Sequence, residues 1–168
     1  NGLYFLGSRF LDGNYLTERS ILTLLAAHET AHQWWYAAVS NDQALEPWLD
    51  EAFCTWMERL YFSSSPEALN WWRAYRLSGD FSQFPVNQTV YSFKSFKPYR
   101  ESVYIHGAQM LEYLQQAMGD DQFMHFLQQY YSTGKAKELS SSQVFFSTLE
   151  NFGKIDPALI KEKYFLQE

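Results

Sequence analysis

Two histidines four residues apart flank a glutamate in His28-Glu29-Thr30-Ala31-His32. Helical residues at that spacing share one face, so both imidazoles can reach a single ion. Neutral imidazole is a good zinc ligand. Glu29 lies one position round the helix, badly placed to ligate and well placed to touch a water on the metal. Zinc lowers the pKa of such a water towards neutrality, and a carboxylate beside it can take the proton. With this chain's content of His and Glu, chance produces the pattern at roughly the 1% level or below. The competing reading is a pair of surface histidines. The apolar stretch before the motif and Trp34-Trp35 after it weigh against that.

Two histidines leave a catalytic zinc one protein ligand short. Glu51 lies nineteen residues after His32, within Trp48-Leu49-Asp50-Glu51-Ala52-Phe53. A helix, a turn and a returning helix would bring it back beside His28 and His32. Such a His-His-Glu set leaves the fourth position open to water, which is the catalytic arrangement rather than the closed structural one. Glu58 falls on the same helical face as Glu51, two turns on. It either orients a ligand histidine or sits at the surface with Arg59. Asp50 either bonds near the site or is solvated. Cys54, one turn from Glu51, reads as core packing; as a fourth thiolate ligand it would close the site.

The segment His28-Glu29-x-x-His32, followed after eighteen intervening residues by Glu51, resembles the aminopeptidase N-like gluzincin metallopeptidases, a family that includes leukotriene hydrolase. The flanking His32-Gln33-Trp34-Trp35 and Trp48-Leu49-Asp50-Glu51-Ala52-Phe53 look like that family's text. Its usual Asn-Glu-Gly reads Asp50-Glu51-Ala52 here, and Ala suits a helix at least as well as Gly. The likeness is close over residues 18–62 and looser over the rest.

The resemblance implies a mainly α, thermolysin-like catalytic domain with a short β element at its N-terminus. It also implies one Zn2+ per chain on His28, His32 and Glu51, Glu29 as general base, and a peptide as substrate. The family holds the reaction's oxyanion with a Tyr in a Tyr-x-Lys-Gly context. Val103-Tyr104-Ile105-His106-Gly107-Ala108 matches at Tyr104 and Gly107, with His106 in place of Lys. The resemblance therefore gives Tyr104 the oxyanion role. From the residues alone, Tyr104 could equally be a buried aromatic at the edge of a face formed by Val103, Gly107, Met110, Leu111, Leu114 and Met118. Tyr99 is a weaker candidate. His106 reads as tuning local charge or bonding a neighbour, and His125 as an ordinary helix residue. Asn87-Gln88-Thr89 matches a glycosylation acceptor and is read as coincidence.

The family selects free N-termini with a Gly-x-Met-Glu-Asn-like segment whose Glu binds the substrate amine. Asn1-Gly2-Leu3-Tyr4-Phe5 looks like the text directly after it, which puts that Glu upstream of Asn1. Aminopeptidase activity is thus the expectation by analogy. A zinc endopeptidase on the same core is the alternative, and a non-catalytic binding module of the same fold is a third reading.

The 168 residues suit one domain. Hydrophobic residues make up 46% and charged residues 19%, which reads as globular. Net charge is -6 with no basic stripe, so nucleic acid is not an expected partner. No apolar run approaches a membrane span. The single cysteine, Cys54, rules out an internal disulfide. The opening residues resemble neither a signal peptide nor a translation start. The expectation is one catalytic core, residues 1–168, cut from a longer chain whose other domains wall the substrate groove. The compartment is left open.

Periodicity and punctuation predict the elements that would carry these residues. Residues 3–10 read as short strands. A helix capped by Thr17 should run into the region of Trp35, and Ser40-Asn41-Asp42 marks a turn. Pro47 should open a helix over 47–62. Ser65 should cap another that reaches Leu77. Residues 78–98 read as a loop with one short extended piece. Further helices are expected over 100–118, 120–131, 141–152 and 157–166.

Overall fold

The computed structural model describes Gly7 and residues 19–166. It is mainly helical, as the sequence predicts. Helix α1 spans Ile21–Ala31, α2 Trp48–Phe62, α3 Pro66–Arg76 and α4 Phe96–Tyr99. A π-helical segment, Arg100–His106, runs directly into α5, Gly107–Met118. Then come α6, Asp120–Lys135, α7, Ser142–Phe152, and α8, Pro157–Tyr164. Among the described residues the only β pairing is two isolated bridges, Trp35 with Val39 and Asn41 with Ser140. Apart from Gly7, which is not in a strand, the predicted strand at 3–10 lies outside the described residues, and α1 starts at Ile21 with Ser20 as its cap in place of the expected Thr17.

Caps explain most boundaries. The Ser20 side chain accepts from the Thr23 amide, Ser65 from Ala68 and Ser141 from Val144, each satisfying a donor that the first helical turn leaves free. Pro66 and Pro157 occupy first-turn positions, where the missing N–H is not needed. Gly119, at φ 83°, separates α5 from α6.

The structure adjusts three expectations. Helix α1 ends at Ala31 rather than near Trp35. The amides of Gln33 and Trp34 turn back to Thr30 and Ala31, and Tyr36 then takes a φ of 106°, which no helix can accommodate. Residues 78–98 form no strand, although Thr89, Phe93 and Ser95 have extended backbone. They contain a 3-10 turn at Val90–Ser92 and the short α4. Helix α6 also continues past the predicted end at 131, to Lys135.

Helix α2 is the centre of the molecule, packed on α1, α3, the π segment and α5. Trp48, Phe53 and Trp56 on α2 are fully buried. They meet a dense aromatic cluster: Phe53 lies 4.5 Å from Trp35 and 5.4 Å from Tyr130 between ring centroids, and Trp48 lies 5.1 Å from Phe145. Aromatic residues make up 19% of the chain, and many of them pack into this core. Leu24, Phe62, Ala68 and Trp72 form a second cluster that seals α1 and α3 against the end of α2. Together the clusters fix α1 beside α2, and so fix the spacing of any side chains that face each other across that seam.

Candidate metal centre

Helix α1 supplies His28 near its C-terminal end, and His32 is its C-cap residue. Helix α2 supplies Glu51 in its first turn, where an acidic side chain complements the helix dipole. The seam between the two helices brings the three together. His28 Nε2 lies 3.0 Å from Glu51 Oε2, and His32 Nε2 lies 3.5 Å from the same oxygen. One ligand atom from each residue lies within 4.8 Å of the others. Among the described residues, no other group of three His, Cys, Asp or Glu side chains converges in this way. Two imidazole nitrogens and one carboxylate oxygen are donors that zinc accepts, so the residues present fit that ion.

The far side of His28 is held just as firmly. Its Nδ1 lies 3.0 Å from Glu58 Oε1. A carboxylate only accepts, so Nδ1 donates to Glu58; Nε2, which faces Glu51, is the nitrogen that a metal would take in place of its proton. Glu58 is itself fully buried, and it accepts from Trp72 Nε1 at 3.0 Å and from Arg76 Nε at 2.7 Å. Arg76 Nη2 also pairs with Glu58 Oε1. Burial pushes the Glu58 carboxyl up, but Arg76 and His28 hold it below the usual carboxylate range. Of the two places the sequence allows for Glu58, the structure shows the one behind His28. Arg59 turns instead towards Glu112 and Asp120. Arg76 and Trp72 were missed by the sequence reading. The signal that could have found Arg76 is a glutamate on the apolar side of α2, which needs a cation if it is buried.

The centre's own protonation follows from these contacts. Burial lowers the pKa of His28, yet Glu51 and Glu58 raise it to about 9. Burial raises Glu51, yet His28 and His32 lower it to about 2. His32 is likewise raised, burial being outweighed by Glu51. Asp50 is buried, not solvated. Its oxygens accept from Gln43 Nε2 at 2.6 Å and Asn41 Nδ2 at 3.2 Å, and burial with the neighbouring Glu51 pushes it up to about 6.

Glu29 lies half-buried on α1, and among the described residues no hydrogen bond or ion pair engages its carboxylate. Tyr104 comes from the π segment. Its ring stacks on His28 at 5.7 Å and 13°, and its hydroxyl interacts with the Glu51 carboxylate. Burial and Glu51 raise the phenol, so it remains a donor at neutral pH. Tyr99 stands edge-on to Tyr104 at 5.6 Å, one layer further from the histidines. Single-turn π segments occur often at functional sites, and this one carries Tyr104.

Of the remaining candidates, His106 and His125 fall elsewhere. His106 donates from Nδ1 to the Phe84 carbonyl at 2.7 Å and tethers the 78–95 loop, a neighbour bond of the kind the sequence suggests. Ser102 reinforces the tether through Pro85 O at 2.6 Å. His125 is exposed on α6. Cys54 is fully buried in the core, and burial pushes its thiol well above the ordinary value, which does not suit a thiolate ligand.

A mainly helical domain with a His-His-Glu convergence between two packed helices defines the class, and comparison supplies the family. The peptidase family M1 domain matches residues 11–161, and the chain belongs to that family. It is similar to aminopeptidase M1-C of Oryza sativa subsp. japonica, 26% identical over 132 residues, covering 70% of this chain and 15% of that protein. It is also similar to leucine aminopeptidase 2 of Aspergillus fumigatus, 28% identical over 139 residues, covering 77% of this chain and 22% of that one. Among solved structures, an M1 zinc metallopeptidase from Deinococcus radiodurans superposes with a TM-score of 0.62 at 25% identity, covering 86% of this chain and 32% of that one. A mutant M1 zinc metallopeptidase from the same organism, bound to a Tyr-Ser-Ala substrate, gives 0.65 at 22% identity over 86% and 34%. The chain thus spans under a quarter of these curated relatives and about a third of the solved chains.

Proposed function

We propose that the chain is the catalytic core of a zinc aminopeptidase, in which His28, His32 and Glu51 hold one Zn2+. The observation that carries this reading is the convergence of three ligand atoms within 4.8 Å. When bound, zinc supplies Lewis acidity, which acidifies water and polarises a peptide carbonyl. Glu29 takes the proton of the attacking water and passes it to the leaving amine. Tyr104 donates its hydroxyl to the oxyanion of the tetrahedral intermediate, a role its stacking on His28 and its firmly protonated phenol support. Glu58, locked by Arg76 and Trp72, keeps the His28 ring turned towards the ion.

A peptide substrate is supported by the Tyr-Ser-Ala bound to the Deinococcus mutant, and removal of N-terminal residues by the names of the curated relatives. No helix among the described residues is long and apolar enough to cross a membrane.

The test is Glu29→Gln, assayed with aminoacyl and N-acetylated peptides. The variant should bind zinc like the parent and lose hydrolysis by about 1,000-fold, within the range of a removed general base. Retained hydrolysis would reject Glu29 as the base. Cleavage of the acetylated peptide by the parent would transfer the reading to an endopeptidase on the same core.

A further inference from the structure

We propose that Cys54 is a positioning residue for His32, fixing the ring's tautomer and orientation; this rests on the reading of His28, His32 and Glu51 as zinc ligands. Three atoms meet behind the His32 ring. Nδ1 lies 3.2 Å from Cys54 Sγ and 3.2 Å from the Trp35 carbonyl oxygen, and Sγ lies 3.8 Å from that same oxygen. A carbonyl oxygen only accepts, so the ring carries its proton on Nδ1 and shares it between carbonyl and sulfur. With Nδ1 engaged in this way, Nε2, the atom that faces Glu51, is the nitrogen presented to a metal. The thiol completes the triangle by donating to the Trp35 carbonyl.

The two histidines are therefore supported differently. His28 backs onto a carboxylate clamped by a guanidinium and an indole. His32 backs onto two uncharged groups, one from the turn after α1 and one from α2. Cys54 has no exposed surface, and Trp35 is nearly as buried, so solvent does not substitute for either contact. Uncharged acceptors polarise an imidazole far less than a carboxylate does, so the orientation of His32 depends on keeping both contacts in place. Cys54 also ties α2, which carries Glu51, to the turn that follows His32. One side chain thereby couples two of the three ligand segments.

Packing alone and positioning predict opposite rankings of three variants. Cys54→Val fills the volume without a polar contact, Cys54→Ser keeps the polar contact with less volume, and Cys54→Ala removes both. Zinc dissociation constants by chelator competition, and the absorption spectrum of the Co2+-substituted protein, read out the ligand geometry. Positioning predicts that C54V and C54A bind zinc about tenfold more weakly than the parent, within the range seen for partners of ligand histidines, with altered Co2+ bands. C54S should stay within about threefold, with parent-like bands. Parent-like affinity and bands in C54V, with loss in C54S, would overturn the proposal and leave Cys54 as core packing. Thermal midpoints of the zinc-stripped variants identify any that fail to fold, and C54A and C54V stand in for each other. Failure of the parent to bind zinc would instead reject the ligand assignment beneath the proposal.

Discussion

Glu58 Oε1 lies 3.0 Å from His28 Nδ1 in the fully buried heart of α2, and Arg76 is bound to the same carboxylate. One carboxylate thus answers both a ligand histidine and a buried cation. Glu58→Gln should weaken zinc binding by about 10- to 100-fold, because the amide is a poorer acceptor for the imidazole. It should also destabilise the fold by about 3 kcal/mol, because Arg76 is left without its counter-charge. Chelator competition and urea unfolding measure the two effects separately. A variant that loses stability but not zinc affinity would reduce Glu58 to a structural role.

Proton and metal compete for the same atoms, which makes the centre pH-dependent. In zinc-stripped protein the raised pKa of His28, about 9 against an ordinary 6.5, contributes stability that is complete below pH 6.5 and lost as pH rises through 9. The lowered pKa of Glu51, about 2 against 4.5, contributes stability present above pH 4.5 and lost as pH falls towards 2. Stripped protein should therefore be most stable between those limits, with its thermal midpoint declining from pH 6.5 to 9. Zinc must displace the proton of His28, so binding at pH 7 should release at least one proton, and affinity should rise with pH up to about 9. Calorimetry in buffers of different ionisation heat measures the release. Zinc affinity flat from pH 6 to 9 would contradict the proton arrangement.

Gly107 lets the π segment and α5 press against α2. A Cβ placed on it would stand 2.5 Å from the Cβ of Ala52, closer than side chains tolerate. Gly107→Ala should cost about 1–3 kcal/mol through overpacking, despite its better helix propensity. Because Ala52 neighbours Glu51 and Gly107 lies in the helix after Tyr104, the clash should also perturb the centre. Adding Ala52→Gly should restore most of the loss. Additive effects in this double-mutant cycle would show that the two residues do not share the strain.

How far the sequence could be read follows from where each partner originates. The shared face of His28 and His32 was legible because helical period fixes it across the last turn of α1 and its C-cap. Glu51 was legible because α1, a turn and α2 are consecutive. The Ser65-Pro66 start of α3 was legible because capping is local chemistry. Non-local partners were not. Glu58 found Arg76 and Trp72 on a different helix, and Asp50 found Asn41 and Gln43 in a turn with no periodic signal. The end of α1 was misplaced because Trp34 and Trp35 prolong the apolar run, while the turn is made by an unusual φ at Tyr36, a residue type that does not announce one. The π segment escaped because its hydrogen-bond shift leaves composition unchanged.

The most direct measurement is an anomalous difference map, collected at the zinc edge from crystals of the zinc-loaded chain. One strong peak per chain is expected at about 2.0–2.2 Å from His28 Nε2, His32 Nε2 and a Glu51 carboxylate oxygen. A peak held by other side chains, or none at saturating zinc, would contradict the ligand assignment.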